Sequence, residues 1–354
     1  MPLISSEYSE VQAATIAALA KARGVLPPDI QKTATLNEIA KNFVLWGSFM
    51  GVCADYSPRN LDMCNRIGVK WFRSSPEYGW GVTPAMIKAQ TDDMHSRGIR
   101  HLVVVQDGGS VPHNYDDVLT DPIYRAKFIA WIASLAPNCD AIEIGNEWNL
   151  GPTQKIFWTG SFDKTWKLQA QLMVDVAVAV RKASPLCLIV TAGFSPYGPD
   201  DGGTWAIWPQ KAIPLLLTEI DRIAKYRGLT GASQILDGIG QHLYCSPEDP
   251  RMGPSTSHPG WWAPKRNRDV WASIASYKIP IWNTEFGSKL GSFSGDTLKR
   301  AQHFKWYFEE FESQKAAGIL FGPHIVISKS AFDGEWTLDP AAEEVFKVQA
   351  LKTW

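Results

Sequence analysis

Excess charge of either sign is what this chain lacks most. Its 354 residues carry 35 lysines and arginines against 36 aspartates and glutamates, a formal net charge of −1. Such a balance creates no broad field for nucleic acid or an anionic membrane surface. Cysteine is scarce as well. Cys53, Cys64, Cys139, Cys187 and Cys245 are odd in number and irregular in spacing, with no CxxC pair and no Cys/His cluster. A zinc site is therefore not expected. The five read as reduced, buried thiols, with room for one disulfide. The start lacks the basic residues of a signal peptide, since Glu7 and Glu10 precede a short apolar run from Ala13 to Ala20. That run is too short to span a bilayer. Cytoplasmic synthesis is expected, with release by another route left open.

Aromatic side chains are abundant instead. Sixteen tryptophans can build large cores or offer flat platforms to a ligand with an apolar face. Trp80, Trp148, Trp158, Trp205, Trp208, Trp261, Trp262 and Trp336 fall in or near long connections. Some are expected to line a groove and the rest to anchor loops.

Taken in order, the chain predicts a helix over residues 1–24, ending at Gly24 before Pro27-Pro28, then a connection to about residue 40. From residue 41 onward, apolar runs alternate with helical patterns. The runs are 44–53, 69–74, 101–106, 141–147, 186–192, 238–244, 279–285 and 318–327. They are apolar throughout rather than alternating, as strands covered on both faces are. Eight strand–helix units over residues 41–354 fit a (β/α)₈ TIM barrel, with residues 1–40 as a short N-terminal helical extension. Long Gly-, Pro- and Trp-rich connections follow the strands and short ones follow the helices. This asymmetry puts the elaboration on the face where barrels keep their chemistry.

The strand ends are polar. Arg73 ends the second, Gln106 and Asp107 the third, Asn146 and Glu147 the fourth, His242 and Tyr244 the sixth, and Glu285 the seventh. A closed ring brings them to one mouth. Glu143 shares strand parity with Glu147 and is expected to point into the barrel and pair with a basic or amide group. Two carboxyl groups on one face suit glycosidic-bond hydrolysis, which needs a proton for the leaving oxygen and a nucleophile for the anomeric carbon. Arg73 and the Tyr244 hydroxyl near Glu285 would favour its charged form. Negative charge nearby and partial burial would keep Glu147 protonated. Metal and cofactor chemistry fits poorly: no His-x-His pair occurs over 46–53, none of strands four to seven ends in lysine, and no Gly-rich phosphate loop stands out.

Ile142-Glu143-Ile144-Gly145-Asn146-Glu147-Trp148-Asn149 and Ile281-Trp282-Asn283-Thr284-Glu285-Phe286-Gly287 resemble the strand-four and strand-seven motifs of the clan A glycoside hydrolases. Arg73, His242 and Tyr244 match the strand-two arginine and the strand-six His-x-Tyr pair. The flavour is closest to family 39, with family 5 next. The resemblance implies a retaining, two-glutamate mechanism on a carbohydrate, with Glu147 as acid/base and Glu285 as nucleophile, and no cofactor or metal. Arg73, Asn146, His242, Tyr244, Gln106, Trp148 and Trp336 are the expected substrate contacts. Two departures stand out. Gly145 replaces the motif's usual Trp and Trp148 its usual Pro, and no Trp ends strand eight, leaving Trp336 for that platform. The loop aromatics favour an extended groove and endo action. A non-catalytic carbohydrate-binding barrel, or a phage-type wall or capsule depolymerase, are the alternatives.

Overall fold

All eight apolar runs form parallel strands, each followed by a helix. In the computed structural model they are β1 (Met50–Cys53), β2 (Trp71–Ser74), β3 (Arg100–Asp107), β4 (Ala141–Asn146), β5 (Leu188–Gly193), β6 (Ile239–Tyr244), β7 (Ile281–Gly287) and β8 (Phe321–Ile327). The helices that alternate with them are α1 (Pro58–Ile67), α2 (Pro84–Ser96), α3 (Pro122–Leu135), α4 (Phe162–Ala183), α5 (Pro209–Tyr226), α6 (Pro264–Ile274), α7 (Thr297–Ala316) and α8 (Pro340–Ala350), with single-turn helices at Asp117–Thr120 and Ala232–Ile235 in the connections. The structure describes residues 50–78, 81–107, 117–150, 162–196, 207–229, 231–244, 264–328 and 336–352. The helix expected over 1–24, residues 44–49, Cys245, and Trp80, Trp158, Trp205, Trp261 and Trp262 lie outside them.

The sheet runs β5-β4-β3-β2-β1-β8-β7-β6. Bridges Val190↔Gly238 and Phe194↔Gln241 close it between β5 and β6. The result is a (β/α)₈ barrel. Cys53, Cys64, Cys139 and Cys187 all carry thiols. No helix among the described residues is long and apolar enough to cross a membrane.

Local chemistry explains the element ends. Ser57, Thr83, Asp121, Asp296 and Asp339 each cap a helix N-terminus by accepting backbone N–H groups, and Pro84, like the prolines of α1, α3 and α8, sits in the first turn. β7 and β8 begin later than their apolar runs. Lys278 (φ 54°) and Gly318 (φ 95°) take left-handed turns that release the preceding helix, so the residues before Ile281 and Phe321 belong to the turn. An added two-residue strand, Glu77–Tyr78, pairs with Gln106 and Asp107.

Two apolar cores form among the described residues. The larger lies between sheet and helices. Its aromatic centre is Phe286, whose ring packs against Phe304, Tyr307, Phe308, Phe311 and Phe346. The smaller fills the barrel itself, with Trp71 and Trp282 edge-on at 5.1 Å among Leu102, Val190 and Ile325. Glycine makes room there. A Cβ on Gly238 or Gly322 would meet the Trp282 indole at 2.5 or 2.4 Å. Replacing Trp282 by Ala should therefore empty the barrel interior and cost about 3–5 kcal/mol. A urea melt would show it as a lower midpoint at unchanged slope.

Candidate active site

The polar side chains gather where the strands end. Arg73, from β2, is buried at their centre. Its Nε and Nη2 donate to the Glu143 carboxylate at 2.7 and 3.1 Å, its Nη1 to Glu285 Oε1 at 2.5 Å, and Nη2 also to Asn146 Oδ1 at 2.9 Å. Burial works against the guanidinium charge, but Glu143 and then Glu285 outweigh it and hold its pKa well above the usual value. Glu143 also accepts from the Gly193 backbone N–H at 2.8 Å and the Thr284 hydroxyl at 3.0 Å. The inward orientation and basic partner expected for Glu143 are both present.

Glu285 is held from two sides. Arg73 takes Oε1, and the Tyr244 hydroxyl donates to Oε2. Burial, then the Glu285 and Glu147 charges, push the Tyr244 phenol well above its usual pKa, so it stays a donor. β7 achieves this aim through a bulge: Gln241 pairs with Asn283 and His242 with Glu285, so Thr284 is extra in the register. Thr284 and Glu285 therefore both serve the inner face, while Phe286 packs outward.

Glu147 follows β4 with φ 50°, and Gly145, two residues earlier, has φ 84°. A left-handed turn at a non-glycine residue is strained and needs support. The Glu147 N–H donates to Gly193 O at 2.8 Å. Asn149 locks the next residues, donating to Ser195 O and Ile207 O and accepting from Ser195 N. The turn brings Glu147 Oε1 to 3.0 Å from His242 Nδ1, which is also 3.7 Å from Glu285 Oε2. Burial disfavours a charged His242, but the Glu285 and Glu147 carboxylates outweigh it and raise its pKa. One imidazole nitrogen thus stands between the two carboxylates.

A cleft of about 430 Å³ is lined by Arg73, Asn146 and Glu285 together with Gln106, Asp55 and Gln90, a size in the range of ligand pockets. Gln106 faces it, but Asp107 is buried and accepts from the Tyr124 hydroxyl at 2.7 Å. Trp336 flanks the site, its ring 5.5 Å from that of Tyr244 and 5.6 Å from Lys289 Nζ. Buried Arg300 fixes its loop by donating to the Trp336 and Thr337 carbonyls. Trp148 departs from expectation. Only 2 % exposed, it presents no platform to the cleft. A Cβ at residue 145 would meet its Nε1 at 1.9 Å, so the indole lies where a side chain of residue 145 would start. Among the described residues no His, Cys, Asp and Glu group could hold a metal ion.

Sequence reasoning missed Cys53 and Thr284. Cys53 ends β1 as Arg73 ends β2, and the same strand-end reasoning could have found it. Thr284 has no such signal, because only the bulge turns it inward.

No family model and no curated protein matches the chain. Solved structures do. An endo-1,4-beta-D-mannanase from Thermotoga petrophila is 13 % identical, with 86 % of this chain and 99 % of that one covered at a TM-score of 0.55. A beta-glucosidase from Thermotoga maritima is 12 % identical over 85 % and 97 %, at 0.57. An endoglucanase from the same organism is 11 % identical over 86 % and 98 %, at 0.51. Likeness at this identity shows a shared barrel.

The raised pKa of His242 has a consequence for stability. The imidazolium's contribution is complete below the unfolded value of about 6.5 and is lost as pH rises through the higher folded-state value. His242→Gln should therefore destabilise the protein more at pH 6 than at pH 9, as measured by paired denaturant melts.

Proposed function

We propose that the chain is a retaining β-glycosidase, of clan A type and nearest family 39 in its motifs. The observation that carries the reading is the single nitrogen, His242 Nδ1, set 3.0 Å from Glu147 and 3.7 Å from Glu285. Those two distances keep the oxygens no more than about 6.7 Å apart, which admits the roughly 5–5.5 Å carboxyl separation of a retaining pair. The barrel shared with a mannanase, a beta-glucosidase and an endoglucanase is consistent with it.

The environments of the two carboxyl groups divide the roles. Glu285, salt-bridged to Arg73 and hydrogen-bonded by Tyr244, is kept ionised and aimed. It attacks the anomeric carbon and forms a glycosyl-enzyme as the leaving group departs. Glu147 protonates the leaving oxygen. A proton shared along its hydrogen bond to His242 is available for that step. In the second half Glu147 deprotonates a water, which attacks the anomeric carbon and frees Glu285. Asn146, with Oδ1 taken by Arg73, presents its amide N–H groups to a sugar hydroxyl, a bond that strengthens as positive charge builds. Gln106 lines the adjoining cleft, and Trp336 supplies an aromatic wall against which a sugar face stacks. The tryptophan-rich connections of the sequence favour internal cleavage of a polysaccharide.

Glu285→Ala should abolish turnover of an activated aryl glycoside, and azide should restore part of it as an inverted glycosyl azide. Glu147→Ala should leave kcat/KM for activated leaving groups little changed and depress kcat/KM for poor ones by roughly 10²–10⁴, while kcat falls for both because the water loses its base. Equal, mild losses in the two variants would reject the roles.

A further inference from the structure

Cys53 is a fully buried thiol at the end of β1 that the proposed chemistry does not use. Its sulfur accepts from Arg73 Nη1 at 3.4 Å and lies 4.0 Å from Glu285 Oε1, to which the thiol donates. Those are the same two atoms that form the 2.5 Å ion pair. The sulfur thus stands against both members of one charge-assisted hydrogen bond. Its backbone is fixed on either side. Cys53 is in register with Arg73 on β2 and Ile327 on β8, and its carbonyl accepts from the Ser328 N–H at 2.9 Å.

We propose that Cys53 is a positioning residue for Glu285, its thiol sealing the β1 side of the Arg73–Glu285 pair against water. The proposal rests on the reading of Glu285 as nucleophile. A thiol is a weak donor and a weak acceptor. It can touch a cation and an anion together without competing for either. The pair beneath it stays dry, so no water solvates the Glu285 carboxylate from that side. A hydroxyl or an inserted water at that place is a better donor. It would solvate Glu285 Oε1, stabilise the carboxylate charge and make it a poorer nucleophile. Filling the space alone is not enough on this view; the weakness of sulfur as a hydrogen-bonding partner is the property that matters.

Cys53→Ser and Cys53→Ala test this beside Glu285→Ala. Both replacements are smaller than cysteine, so neither creates a clash, and a thermal melt verifies folding. The acid limb of the kcat/KM pH profile reports the nucleophile's ionisation in the free enzyme. Both cysteine variants should move that limb to lower pH. They should lower kcat by roughly threefold to tenfold and change KM by less than about twofold. A loss of packing alone would lower the melting temperature and leave the limb in place. If the limb stays put in both cysteine variants while Glu285→Ala is dead, the inference is overturned and the glycosidase reading survives. If Glu285→Ala keeps its turnover, the glycosidase reading fails and takes this inference with it.

Discussion

One guanidinium organises the mouth of this barrel. Arg73 is buried, and a buried cation is tolerable only if its charge and its donors are met. Glu143 meets them from β4 and Glu285 from β7, so three separate strands of the ring are tied together through Arg73. The tie is reciprocal. Glu143 would itself be an intolerable buried charge without Arg73, and it recruits the Gly193 amide and the Thr284 hydroxyl to complete its shell. Removing either partner would strand a charge, which is costlier than never having had the pair. The arrangement thus fixes position more than it adds stability. It is well suited to holding Glu285 in one orientation.

Much of this was legible in the residues. Eight apolar runs, long connections on one side only, and polar residues at the strand ends were enough to place Arg73, Asn146, Glu147, His242, Tyr244 and Glu285 around one opening. The inward orientation of Glu143 followed from strand parity alone. Parity then fails at two places, and both are at the site. The bulge at Thr284 turns two successive side chains inward, and the left-handed turns at Gly145 and Glu147 re-aim the end of β4. Strict alternation cannot express either. Local rules break where side chains are being aimed rather than merely packed.

Trp148 shows a different limit. Its neighbourhood in the chain is a long polar connection, which suggests an exposed ring. In the fold it is buried, because Gly145 leaves a space of the right shape beside it. A sequence pattern reports which residues are present but not which of two nearby positions supplies the bulk. Asp107 is similar. It neighbours Gln106 at a strand end, yet it bonds to Tyr124 on α3 and stays out of the cleft.

The ring is stitched unevenly. Between β5 and β6 the ladder reduces to isolated bridges, and the Thr191 hydroxyl accepts the Gly240 N–H in place of a backbone carbonyl. Glu147 hangs from the β5 side of that seam through Gly193, and His242 belongs to the β6 side. The contact between carboxyl and imidazole is therefore also a clasp across the barrel's thinnest join. Opening of the wall there would act first on that contact, whereas Glu285 has, besides Tyr244 at the seam, an anchor away from it in Arg73.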